Sequence, residues 1–298
     1  MALTKDDVRG VIPPMVSPFN ELDQIDPEAF RREVHYLLEA GVHGLVVGGS
    51  TGEGACLSGD EIAELSKIAV SEVRGRVPVL AGVISDYTLD AVRRGLAAKA
   101  AGVDGLMVTP THYVVPSPEG HMEYFSRVTR EVGLPVIIYN VVPRAPVRPE
   151  VARRLMEIPG IIGVKESIGG NLETLTELLA TIGDKASVTF AIDPILVHGF
   201  VLGAHGTISG ISTMVPYLIL DLWNAVQRGD LAEARRLHYR LDPINTAFLP
   251  GNENWPSYIK AFINEQGRNV GKARSPMVPL SAAEREKVRA ALVHAGVL

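Results

Sequence analysis

The chain has 298 residues, of which 46% are hydrophobic and 21% charged, with a formal net charge of −5 and a single cysteine. Such a composition belongs to a globular, core-rich protein and excludes disorder, while the acidic balance argues against a general nucleic-acid binder. Cys56 alone closes no internal disulfide, the first residues have no signal-peptide core, and no apolar stretch is long and uncharged enough to span a bilayer, so a cytoplasmic protein with neither a membrane nor a nucleic-acid partner is expected.

Short apolar runs predict strands over 11–16, 44–47, 77–83, 105–108, 136–139, 161–164, 187–191 and 206–208. Between them, apolar residues recur at helical spacing, as over 27–40, 59–73 and 88–101. Asp26 before Pro27 has the form of a helix start, and Ser58 followed by Glu61 that of a capping box. A faint repeat, Ala40-Gly41-Val42-His43-Gly44-Leu45, Ala101-Gly102-Val103-Asp104-Gly105-Leu106 and Leu202-Gly203-Ala204-His205-Gly206-Thr207, puts a left-handed glycine at each helix end and a second glycine at the next strand's start.

Beyond residue 215 no strand run follows. Helices are predicted over 220–228, 231–241, 257–265 and 281–295, broken at Gly229-Asp230, at Asp242-Pro243 and between Pro276 and Pro279. Eight strand-helix units in succession predict a (β/α)₈ TIM barrel with a C-terminal helical extension, divided as 1–214 for the barrel core with the active site and 215–298 for the last barrel helix and the extension. The competing open doubly wound sheet would feed a glycine-rich dinucleotide loop from its first strand, where this chain has Ser17-Pro18-Phe19-Asn20.

In a barrel, chemistry belongs at the C-terminal ends of the strands. Lys165 stands at such an end, after the apolar run 159–164. A lysine so placed pairs with an acid, reaches water, or has its pKa lowered until the free amine is a nucleophile toward ketones. Glu166 is a poor partner, because adjacent strand residues face opposite sides.

The loop 48–54, Gly-Gly-Ser-Thr-Gly-Glu-Gly, carries Ser50 and Thr51 and suits a carboxylate; a purely structural turn is the alternative. Tyr139 reads as a core tyrosine with its hydroxyl at the rim, or as a proton relay beside an amine. Arg144 reads as a solvated loop residue, or as a fork for a second substrate carboxylate. The eight histidines are scattered and none has zinc-motif spacing, so no metal is expected.

Gly49-Ser50-Thr51-Gly52-Glu53, Tyr139-Asn140-Val141 and Gly163-Val164-Lys165-Glu166-Ser167, with Pro256-Ser257-Tyr258-Ile259-Lys260-Ala261 in the tail, resemble the dihydrodipicolinate synthase / N-acetylneuraminate lyase family over nearly the full length. The resemblance implies a metal-independent and cofactor-free class I aldolase. Lys165 would form a Schiff base with pyruvate or another 2-oxo acid, Tyr139 would pass protons, Ser50 and Thr51 would bind the carboxylate with Thr51 also in the relay, and Ile208 would line the substrate site. A second tyrosine of the family reaches into a neighbouring subunit; the resemblance implies that Tyr113 would fill that position, with His112 its rival, in a homotetramer built as a dimer of dimers.

Arg144 matches the arginine that binds the carboxylate of aspartate semialdehyde, so a 4-hydroxy-tetrahydrodipicolinate synthase activity is the first expectation. This chain has Arg144-Ala145-Pro146 for the usual Arg-Thr-Gly, Ser50-Thr51 for a threonine pair, and Ile192-Asp193-Pro194 where a glycine precedes two aspartates. A 2-keto-3-deoxy sugar-acid aldolase or dehydratase, or a deaminase of hydroxyproline-derived acids, is the alternative within the family. A binding or regulatory barrel without turnover is the alternative outside the enzymes.

Overall fold

The structure is a computed structural model that describes residues 3–169, 172–248 and 253–298. Eight parallel strands follow one another round the sheet: β1 (Gly10–Val11), β2 (Leu45–Val47), β3 (Val79–Val83), β4 (Gly105–Val108), β5 (Val136–Asn140), β6 (Ile161–Glu166), β7 (Ser187–Phe190) and β8 (Gly206–Thr207). β1 pairs with β8, and the seam between β1 and β2 closes through a parallel bridge of Pro14 with Val46. The expected strand over 11–16 is cut to two residues because Pro13 and Pro14 have no N–H to give to a ladder, so Met15 N resumes the pairing by donating to Val46 O at 2.8 Å. β6 instead runs past the expected 161–164, which puts Lys165 and Glu166 inside a strand.

The first two helices keep their predicted bounds because their ends are locally specified. In α1 (Pro27–Ala40) the Asp26 side chain accepts from Ala29 N and Gly41 closes the helix at φ 87°; in α2 (Gly59–Val73) Ser58 and Glu61 form the reciprocal capping box. The ring continues with α3 (Thr88–Ala100), α4 (Pro118–Val132), α5 (Pro149–Leu155), α6 (Leu172–Ile182) and α7 (Leu196–Val201). After the short α8 (Ile211–Met214), α9 (Pro216–Gln227) packs against α7 and α1 and is the eighth helix of the ring.

The extension consists of α10 (Leu231–Phe248), α11 (Trp255–Glu265) and α12 (Ala282–His294). The predicted break at Asp242-Pro243 is wrong: α10 runs straight through the proline. An interior proline costs a helix about 3 kcal/mol, but Leu237, Leu241 and Ile244 keep one buried stripe across it, and burying such side chains at about 1.5–3 kcal/mol each offsets the loss.

Two apolar layers result. Between strands and helices lies the main core; inside the barrel Ile12, Val46, Leu80, Met107, Ile137, Tyr139 and Ile208 meet on the axis. Leu3 and Val8 plug the N-terminal end, where Ser187 Oγ donates to Val8 O at 2.6 Å.

The sequence repeat acquires a physical meaning at this end. His43 Nδ1 accepts from Val11 N at 3.1 Å while His43 N donates to Val11 O at 2.8 Å. Asp104 makes the same two-way contact with Val79, and His205 with Val188. The variable residue of each repeat therefore clips the start of an odd-numbered strand to the start of its even-numbered neighbour.

Candidate active site

Parallel register decides what faces what at the other end of the barrel. Tyr139 of β5 lies opposite Lys165 of β6, and Lys165 opposite Thr189 of β7. Tyr139 and Lys165 are each 4% exposed, and the Lys165 Nζ stands 3.7 Å from the centroid of the Tyr139 ring. Among the described residues no carboxylate lies within ion-pair distance of this Nζ, and the Tyr139 ring face lies directly against it.

The next register pair, Asn140 with Glu166, faces outward, as alternation requires. Asn140 Nδ2 donates to Glu166 Oε2 at 2.6 Å, Asn140 Oδ1 accepts from Val147 N at 2.8 Å, and Glu166 Oε1 accepts from Ile168 N at 2.7 Å. Burial pushes the Glu166 carboxyl up, against the pull of these hydrogen bonds. One residue pair thus presents chemistry to the axis while its neighbour ties down the two loops that follow.

The loop after β2 is folded back on itself. Glu53 N donates to Ser50 O at 2.9 Å and Gly54 N to Gly49 O at 3.0 Å, which folds the loop at Ser50 and Thr51. A Cβ at Gly54 would lie 1.9 Å from Gly48 O, and one at Gly82 of β3 would lie 2.5 Å from the same oxygen, so only glycine fits at either position. Thr51 is buried, and Ser50 lines a cavity of about 320 Å³ together with Thr109, His112, Val141, Val142 and Trp255. Ile208 is fully buried beside Tyr139 in the interior cluster.

Two expected residues stand apart from this group. Tyr113 is 79% exposed; Asp86 Oδ1 accepts from the N–H groups of His112 and Tyr113 at 2.9 and 2.8 Å, and Asp86 Oδ2 lies 2.9 Å from His112 Nε2. Held in this way, His112 faces the chain's own cavity and Tyr113 points away from it. Arg144 is exposed on the turn after β5 and has no hydrogen bond or ion pair among the described residues.

A residue noted in the sequence only as a departure from a pattern joins the site. Asp193, after β7, is pushed up to about 6 by burial, against the pull of the Ser209 hydroxyl and of the Lys165 charge. Its Oδ1 and the hydroxyls of Thr109, Thr189 and Ser209 are buried without an aligned hydrogen-bond partner among the described residues. The mouth thus bears an amine, a phenol, a carboxyl and several hydroxyls. In the sequence, only the placement of Asp193 near a strand end, three residues beyond the last residue of β7, signalled its part in the site.

Fold and site together define a (β/α)₈ barrel with a strand-borne lysine at its mouth. The model of the dihydrodipicolinate synthetase family matches residues 7–295, and the chain belongs to that family. It is 38% identical over 293 residues to 4-hydroxy-tetrahydrodipicolinate synthase of Nitratidesulfovibrio vulgaris, a match that covers 97% of this chain and 99% of the relative. The crystal structure of dihydrodipicolinate synthase from Aquifex aeolicus superposes with a TM-score of 0.90 at 29% identity, covering 97% of this chain and 98% of the other. The chloride-inhibited enzyme from Acinetobacter baumannii, solved with pyruvate, superposes with a TM-score of 0.91 at 28% identity, covering 98% of this chain and all of the other.

Proposed function

We propose that the chain is a class I lyase that condenses pyruvate with aspartate semialdehyde through a Schiff base on Lys165. The observation that carries this reading is the buried Lys165 Nζ set over the face of the Tyr139 ring, with no ion pair to a carboxylate among the described residues. Ser50 and Thr51, whose loop is closed by its own backbone, hold the pyruvate carboxylate.

In this reaction the Lys165 amine adds to the keto carbon, and the former keto oxygen takes protons and leaves as water, giving an iminium. Loss of a proton from the methyl carbon gives an enamine, whose carbon bonds to the aldehyde carbon while the aldehyde oxygen takes a proton. The amine of the second substrate then attacks the iminium carbon, closes the ring and returns Lys165. Tyr139 and Thr51 move the protons at each stage, and Arg144 swings over the mouth to meet the second carboxylate.

Borohydride reduction with pyruvate present, followed by peptide mass mapping, is expected to give an adduct on Lys165; an unmodified Lys165 overturns the mechanism. Undiminished turnover after dialysis against a chelator is the expected result for a metal-independent reaction, and loss restored by a metal overturns it. For the second substrate, turnover of pyruvate with aspartate semialdehyde is compared with cleavage of 2-keto-3-deoxy acids, in the native chain and in Arg144→Ala. A preference for the sugar acids that Arg144→Ala leaves unchanged overturns the assignment of aspartate semialdehyde.

The knuckle of Tyr113, Val114 and Val115, exposed by 79, 66 and 46%, supports an assembly in which Tyr113 completes a neighbour's site in a homotetramer. Sedimentation of the native chain tests it, and a fully active monomer overturns it.

A further inference from the structure

Lys260, on α11 of the C-terminal extension, is 2% exposed, yet it is nowhere near Lys165 in the chain and bears on the opposite side of the mouth. Its Nζ donates to Ser17 O at 2.7 Å and to Lys272 O at 2.8 Å, forms an ion pair with Glu53 Oε1 at 2.8 Å, and stands 4.1 Å from the centroid of the Phe19 ring. Glu53 is the residue that turns the Ser50-Thr51 loop: it is 6% exposed and adopts the left-handed conformation at φ 55°. Its second oxygen accepts from Arg274 N at 2.8 Å, and Ser17 Oγ donates to Gly52 O at 2.7 Å.

A single ammonium thus joins the segment after β1, the loop after β2, the strap that carries Lys272 and Arg274, and α11. A non-glycine residue in the left-handed region persists only where its surroundings over-determine it. Here the over-determination comes through the Glu53 side chain, gripped from outside the barrel. A fully buried ion pair is a poor choice for stability alone, since well-packed apolar side chains of similar volume serve as well or better; what it supplies is a fixed geometry.

We infer that Lys260 is a positioning residue for the reaction: through Glu53 it sets the backbone of the Ser50-Thr51 loop, and so the affinity for the 2-oxo acid carboxylate, from the C-terminal extension. It touches no substrate and acts only through the loop. This rests on the assignment of that loop to pyruvate binding under the proposed function.

The test follows borohydride trapping at Lys165 as a function of pyruvate concentration in the native chain, in Lys260→Met and in the double variant Glu53→Gln/Lys260→Met, with circular dichroism and Tm read alongside. Lys260→Met leaves the Glu53 carboxylate buried without its cation and lowers Tm; the double variant removes both charges and regains it. The half-saturating pyruvate concentration is expected to rise about ten- to a hundredfold in the double variant despite its restored fold, the scale on which small displacements of a positioned group act, with a smaller change in the rate at saturation. A double variant that is folded and saturates with pyruvate as the native chain does overturns the inference. Should neither variant fold, Lys260→Arg, which keeps the charge but not the shape, is read in the same way, and unchanged half-saturation again overturns the inference. No trapping in the native chain overturns the proposed function instead, so the two failures are distinct.

Discussion

The two ends of the barrel are built from the same strands and spend their polar groups in opposite ways. At the N-terminal end every clip is reciprocal: His43, Asp104 and His205 each both accept from and donate to the residue they face, and Leu3 and Val8 close the axis. At the C-terminal end Thr109, Thr189, Ser209 and Asp193 place buried oxygens at the strand ends and just beyond them, and none of these side chains makes such a reciprocal clip among the described residues. Reciprocal clips fix the strands to one another at one end, while the other end carries the side chains proposed for the reaction.

The largest effect that separates the ends is expected from Lys165→Ala. Removing the nucleophile should cut kcat by on the order of 10⁴-fold or more while circular dichroism stays native, because the lysine makes no ion pair with the rest of the fold among the described residues. Tyr139→Phe comes next. It should slow turnover by about 10²–10⁴-fold, the range for loss of a positioned acid-base group, yet still give the borohydride adduct, since the ring under the Nζ remains.

At the other end His43→Ala should reverse the pattern, with an unchanged half-saturating pyruvate concentration and a stability loss of about 1 kcal/mol in urea titration, the scale for a backbone N–H that loses its partner. A kinetic effect of His43→Ala larger than its effect on stability would erase the division between the ends.

The smallest effect is one of pH. Burial lowers the pKa of both His43 and His205, whose Nδ1 atoms accept from Val11 and Val188. Below the usual imidazole value of 6.5 the unfolded chain takes up protons that the folded chain resists, so this contribution to stability is present above 6.5 and is lost as pH falls through the lower folded values. Both rings are partly exposed, which keeps the effect modest. His43→Asn/His205→Asn should flatten the decline of Tm between pH 6.5 and about 5; an unaltered slope would show that other groups set it.

Much of the fold was legible in the sequence because its signals are local. Asp26, Pro27 and Gly41 bound α1, and Ser58 with Glu61 starts α2, through contacts made within a few residues. Pro13 and Pro14 were legible too, but an apolar pattern over 11–16 hid their effect on the ladder, and Pro243 read as a break because its cost is local while the burial that offsets it is tertiary. Taken singly, Lys165 had three readings and Tyr139 two. It is register, a property of the assembled sheet, that sets one over the other. The grip of Lys260 on Glu53 joins residues from opposite ends of the chain, and no spacing rule reaches that far.

The crowding at Gly48 O has a consequence for how such a protein can change over generations. Gly54 and Gly82 approach that one oxygen so closely that neither tolerates any side chain, and relieving one leaves the other in place. The backbone of the Ser50-Thr51 loop is therefore locked against drift, although the side chains it carries are not. Freer backbone lies elsewhere on the rim, on the turns bearing Tyr113, Arg144 and Ile192, where the side chains are exposed or half-buried and a substitution costs the barrel little.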